Sequence, residues 1–174
     1  MQEAGATLEP VVAGASFDIG AVHLVARGPV RTIHEGSMPN NNGILLDVRT
    51  AGLRLVLLAD AEREEASDLA KTLRVTPGRP AAAVEPPVDV VKVAHHGSAN
   101  QDRGLVEALA APVAVISVAA DNDYGHPAPS TLDLYARAGA AVLRTDRDGD
   151  ILLQPDCSPD AAQRCRVRVG RTRG

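Results

Sequence analysis

Apolar residues in this chain gather into short runs broken by glycine, proline or polar clusters, and that punctuation predicts strands. Ala21–Arg27 alternates and stops at Gly28-Pro29, while Ile44–Val48 and Leu53–Ala59 flank the turn Thr50-Ala51-Gly52 and read as antiparallel neighbours. Val88–Ala94 and Val113–Val118 are two further buried strands. Between the strands the period lengthens. Ala66, Leu69, Ala70 and Leu73 recur at spacings of three and four inside Glu62–Leu73, which gives a helix one apolar stripe. A second helix is expected over Arg103–Ala110. A third opens at Ser130, with Asp133 at capping-box spacing, and ends at Ala138 before Gly139. Ala141–Arg144 and Asp150–Gln154 read as a closing hairpin through Asp146-Arg147-Asp148-Gly149. Residues 1–20 form a loose lead-in, 34–43 a polar loop, and 76–87 a proline-rich loop. The order predicts an α/β fold, a mixed sheet with helices packed on it, over residues 21–156, followed by a basic tail over 157–174.

Composition narrows the classes. With 174 residues, 45% hydrophobic and 23% charged, the chain reads as one soluble domain or a large part of one. No apolar stretch approaches the roughly 20 residues of a membrane helix, and Met1-Gln2-Glu3-Ala4 lacks the pattern of a signal peptide. A net charge of −4 argues against broad non-specific attraction to nucleic acid, and 2% aromatic content argues against a base-stacking platform. Arg164, Arg166, Arg168, Arg171 and Arg173 crowd the end of the chain, leaving −9 on the remainder; such a run reads as a frayed, solvated terminus. Cys157 and Cys165 close a short loop, a disulfide in an oxidising compartment or two idle thiols in cytosol, with the disulfide preferred.

Candidate chemistry lies at the strand ends. His95-His96-Gly97-Ser98 follows one apolar run, Asp60 closes another, and His126 lies in Asn122-Asp123-Tyr124-Gly125-His126-Pro127 after a third. Two adjacent histidines alone are more often solvated loop residues than ligands. Three strand ends that each deliver an imidazole or carboxylate form a site pattern, because open α/β sheets carry their chemistry at that edge. Asp60, His95 and His126 are the candidate catalytic residues, and Asp60, His95 and His96 the candidate metal ligands. Nitrogen and hard oxygen donors without thiolate suit zinc or manganese, with Asp60 the natural bridge. Two such ions need about seven or eight protein ligands, so this set is half a site. His23, alternating within a strand, and His34, in a polar loop, are weaker candidates. Ser98 beside a histidine could be a nucleophile, but no Gly-x-Ser-x-Gly elbow surrounds it, which favours hydrogen bonding to a ligand histidine or the loop. Ser98, Asn122, Tyr124 and Lys92 are the candidate substrate contacts, although a lysine snorkelling from a buried strand explains Lys92 equally well.

Several linked segments carry a resemblance. Asn40-Asn41-Asn42-Gly43-Ile44-Leu45-Leu46, Leu57-Leu58-Ala59-Asp60, Asp89 through Ser98, Ile116-Ser117-Val118 with Asn122, Tyr124-Gly125-His126-Pro127 and Arg144 through Gly149 follow in the order and spacing of one family. Over residues 20–154 the chain resembles the metallo-β-lactamase-fold domain at the C-terminus of ComEC-type competence proteins. The resemblance implies a partial αββα hydrolase fold with a metal site between two sheets and a nuclease role on DNA during uptake through a membrane channel. It implies attachment to a bacterial inner-membrane protein, with the extracytoplasmic side a candidate location. It matches Asp60 to a metal-bridging aspartate, the His95-His96 pair to a histidine ligand motif and His126 to a Gly-His-Pro histidine, leaving open which of His95 and His96 faces the metal. The family's His-x-His-x-Asp-His segment has no counterpart here, Ala59 stands for a glycine, Gly43 for a serine and Gln101 for a second serine. The reading is therefore the C-terminal half of a hydrolase domain, whose partners would be DNA and a missing N-terminal half or channel. A non-catalytic remnant or binding module, and a small ester or lactone hydrolase, are the alternatives.

Overall fold

The computed structural model describes residues 9–74, 87–157 and 165–173. Seven strands pair in chain order into one sheet: β1 (Ser16–Ile19), β2 (Val22–Gly28), β3 (Leu45–Thr50), β4 (Leu53–Leu57), β5 (Val90–Lys92), β6 (Val113–Ile116) and β7 (Ala141–Arg144). From β1 to β4 the pairing is antiparallel; from β4 to β7 it is parallel. Tight turns reverse the chain between β1 and β2 and between β3 and β4, the longer connection over residues 29–44 reverses it between β2 and β3, and the helical crossovers beyond β4 return it in the same direction. The crossovers carry α2 (Arg63–Arg74), α3 (Arg103–Leu109) and α4 (Pro129–Arg137), and a short α1 (Met38–Asn41) lies before β3. The architecture is thus the mixed sheet with packed helices that the residue pattern predicts.

One sheet face forms the main core. Ala66, Leu69 and Ala70 of α2, Leu105, Val106 and Leu109 of α3 and Tyr135 of α4 close over Val56, Leu58, Val91, Val93, Ala114 and Ile116. This is the stripe at spacings of three and four doing what its period requires. On the other face Val90, Val113 and Leu143 are covered by Ile151, Leu153, Val167 and Val169. These four residues belong to a second, two-stranded sheet, β8 (Ile151–Asp156) with β9 (Arg166–Arg171), antiparallel. Among the described residues no helix is long and apolar enough to cross a membrane.

Three expectations are corrected. Ala141–Arg144 does not form a hairpin with Asp150–Gln154: it joins β6 in parallel, Thr145–Asp148 makes a single helical turn α5, and β8 takes β9 as its partner. The arginine-rich terminus is strand rather than frayed coil over Arg166–Arg171, because Val167 and Val169 alternate with the arginines and supply an apolar face. Ser130 does not cap α4; the cap is Ala128, without a side-chain hydrogen bond, and Pro129 supplies the first turn. The lead-in contains β1 and the polar loop contains α1, whereas residues 76–86 of the proline-rich loop and Arg164 lie outside the described residues.

Cys157 and Cys165 are bonded at the end of β8–β9 where the chain passes from one strand to the other. Closing a loop of this length removes about 2–3 kcal/mol of unfolded-chain entropy. Replacing both cysteines by serine is therefore expected to lower stability by up to that amount. Urea midpoints with and without reductant check it: the wild-type midpoint falls on reduction, and the serine variant's does not move.

Candidate functional site

The parallel strands β4, β5 and β6 end at one edge, and the residues just beyond them build a rim. Past β4 the chain runs Leu58-Ala59-Asp60, and past β5 it runs Val93-Ala94-His95-His96. Ala59, His95 and His96 all have left-handed backbones, with φ of 46°, 46° and 50°. For residues with a Cβ this costs about 1–2 kcal/mol each and persists only where surroundings fix it. Here they do. The Ala59 carbonyl accepts from the His95 backbone N–H at 3.0 Å and from Lys92 Nζ at 2.9 Å. Gln101 Nε2 donates to the Ala94 and Ser98 carbonyls at 3.2 and 3.0 Å, and buried Thr131 Oγ1 donates to Ser98 O at 2.6 Å. Gly97, at φ 82°, packs so closely on Pro127 that a Cβ would come within 2.6 Å of the proline Cβ. Only glycine fits that crossing.

Hydrogen bonding assigns the His96 ring. Its Nδ1 lies 2.7 Å from the Ser117 carbonyl, which can only accept, so Nδ1 carries a proton, and in the neutral ring Nε2 is the atom with the lone pair. That Nε2 stands 3.4 Å from Asp60 Oδ1, and both side chains are about half exposed. A carbonyl that holds Nδ1–H in this way orients the ring so that Nε2 faces the rim, where in the neutral form it can bind a cation or take up a proton. His95 is turned the other way: its Nδ1 is buried without a hydrogen-bond partner and lies 4.0 Å from Glu62 Oε1. The His95 ring meets His126 edge to face at 5.5 Å between centroids. Burial, and then the neighbouring His95 and His96, lower the His126 imidazole below its ordinary value, so it is neutral at pH 7. The rim therefore brings together Asp60, His95, His96 and His126.

The other candidates take varied places. Ser98 is buried, and its Oγ accepts from the Asn100 N–H, shaping the loop. Asn122 holds its own loop: Oδ1 accepts from His126 N, and Nδ2 donates to His126 O and Ala119 O. Tyr124 is 84% exposed and stacks on His126 at 5.9 Å. Lys92 spans to the Ala59 carbonyl; burial lowers its ammonium while Asp60 opposes that shift. His23 binds Asp18 Oδ1 at the start of β2, the end of the sheet away from the rim, and His34 lies exposed in the loop after β2. Glu62 was not apparent from the residue pattern. Its carboxylate accepts from Ser37 N and Asn40 Nδ2, and its backbone N–H donates to buried Asn41 Oδ1, so it pins the asparagine loop beside His95. The signal was the asparagine triplet, whose polar side chains need partners once buried.

The donors at the rim suit zinc or manganese in kind but not in number. Among the described residues no three His, Cys, Asp or Glu side chains stand close enough together to hold a metal ion. Asp60 and His96 form a pair, and a coordination shell needs more.

No family model matches the chain, and no solved structure matches it. The chain is similar to ComE operon protein 3 of Bacillus subtilis (strain 168), with 30% identity over 151 residues. The match takes in 86% of this chain and 18% of that protein, so the chain spans under a fifth of its relative's length.

Proposed function

We propose that the chain is a segment of a competence-type DNA-uptake protein and that its rim contributes to a metal-dependent phosphodiester hydrolase site. The observation that carries this reading is the convergence of Asp60, His95, His96 and His126, from three separate segments, on a strained and heavily clamped loop pair. The likeness to ComE operon protein 3 supports the DNA-uptake context. Asp60 and His96 would hold one side of a divalent cation, zinc or manganese, with the remaining donors from outside this set. When bound, such a cation supplies hydroxide near neutral pH and stabilises charge developing at phosphorus. In that site His96 offers an Nε2 lone pair, neutral His126 is able to take up a proton, and Tyr124 over His126 forms a wall for substrate.

A binding module of the same fold is the second reading, favoured by the missing third donor. The two separate experimentally. In a titration with Mn²⁺ the resonances of Asp60 and His96 are expected to broaden first, and Asp60→Asn or His96→Ala is expected to weaken the effect at least about tenfold, roughly 1.4 kcal/mol. Equal broadening in the variants overturns the rim assignment. Hydrolysis of bis-p-nitrophenyl phosphate that depends on Asp60 supports the catalytic reading; Mn²⁺ binding with no turnover supports the module.

A further inference from the structure

The β8–β9 ribbon separates its side chains by chemistry. Val167 and Val169 face the sheet with Ile151 and Leu153, whereas Arg166 and Arg168 are exposed on the other side. Pairing of Ile151 with Arg171 brings the end of β9 beside the start of β8, directly after α5. There the Arg173 N–H donates to the Asp148 carbonyl at 3.0 Å, and Thr145 Oγ1 of α5 donates to Val118 O beyond β6 at 2.7 Å. The arginines thus rise along the ribbon toward the sheet edge that carries the rim, where exposed Arg147 and Arg173 continue the series. Arg168 pairs with Asp156 and Arg171 with Asp148, but among the described residues no carboxylate is within ion-pair distance of Arg147, Arg166 or Arg173. Six arginines face four aspartates over residues 144–157 and 165–173, in a chain whose overall charge is −4. A local positive strip on an acidic protein is the footprint of a polyanion contact.

We infer that the outward arginines of β8–β9, with Arg147 and Arg173, form a track along which the phosphate backbone of a nucleic acid lies as it approaches the rim. Naming DNA as the partner rests on the reading above; the track itself rests on the ribbon. Scarce aromatics leave backbone charge as the means of contact, so binding carries little base preference and falls steeply with salt.

The test is fluorescence anisotropy of a labelled oligothymidylate with the full chain, between about 50 and 200 mM salt. The double change Arg166→Glu with Arg168→Glu is expected to weaken binding about tenfold or more at the low end. The neutral pair Arg166→Gln with Arg168→Gln is expected to lower the logarithmic salt slope by about 1.4, two phosphate contacts' worth for a single strand. Arg103→Glu with Arg137→Glu changes net charge equally on α3 and α4 and is expected to leave binding near wild type. Equal losses in both charge-reversed pairs, unchanged binding in the ribbon variants, or no binding by wild type overturns the track. Ribbon-dependent binding to phosphatidylserine vesicles without oligonucleotide binding assigns the strip to a membrane and also overturns it. The Mn²⁺ titration at Asp60 and His96 does not involve the ribbon, so failure of the track and failure of the rim are read separately.

Discussion

Replacing Asp47 by alanine is expected to destabilise the fold by about 3–5 kcal/mol, because it removes the carboxylate from a buried Arg54 guanidinium and a partly buried Arg27 guanidinium. Asp47 lies mid-β3 and is 1% exposed. Its carboxylate accepts from Arg54 Nη2 at 2.6 Å and from Arg27 Nη2 at 2.8 Å, one from each flanking strand. Arg54 is itself buried, and its backbone N–H is held by Asp89 Oδ2 at 2.8 Å. Burial alone would raise the Asp47 carboxyl, but the hydrogen bonds and charges of Arg54 and Arg27 outweigh it and hold it below its ordinary value of 3.8. A depressed folded value means the stabilisation is complete above about pH 4 and disappears as pH falls through the folded value. Urea unfolding at pH 7 measures the loss, and the gap between wild type and variant is expected to close in strong acid. A loss under about 1 kcal/mol at pH 7 would show that the arginines find other partners. Asp47→Asn is expected to lose nearly as much as alanine, since the amide keeps the shape and removes the charge.

Glu65 works in the opposite sense, and a rise in pH from about 4.5 to about 8 is expected to weaken the protein through it. The side chain is 2% exposed on α2, and neither carboxyl oxygen has a hydrogen-bond partner. Gly28 of β2 lies against it, so close that a Cβ there would be 3.0 Å from Oε1. Burial first, and then the charge of Asp68, push its carboxyl up to about 8 from an ordinary 4.5. The start of α2 favours an anion by only about 0.3–1 kcal/mol, so desolvation prevails and the group stays protonated when folded at neutral pH. A raised folded value gives a contribution that is full below about pH 4.5 and is lost as pH rises through about 8. At roughly 1.4 kcal/mol per unit the loss totals a few kcal/mol, near 5 at most. Glu65→Gln is expected to flatten that decline in urea unfolding between pH 5 and 9. Parallel curves for the two proteins would sink the assignment.

Much of the rim was legible in the residues, and the reason is local. A buried parallel strand is mostly apolar, so the polar residue after its last apolar position marks the sheet edge, as Asp60 and His95 do. The cross-links that fix the edge were not legible. Gln101, Thr131 and Glu62 act through backbone carbonyls and loops distant in sequence, and nothing in their own neighbourhoods marks them. Strand existence was likewise easier to read than strand partner. Ala141–Arg144 suits a hairpin or a parallel edge equally, and a non-local contact with β6 decided it. Over Arg166–Arg171 three arginines signal solvation, while the two valines between them carry the packing information.

The ribbon is fastened at both ends. Below, Cys165 presses on the β3–β4 turn so tightly that a Cβ on Gly52 would meet its Sγ at 2.6 Å. Above, Asp150 N donates to Thr172 Oγ1 and Thr172 N to Asp150 O. A beam clamped at two points cannot splay or slide, so the distances between its guanidinium stems are set during folding rather than at encounter. Fixed backbone stations leave only the side chains to order on contact, which lowers the entropic cost of meeting an extended polyanion.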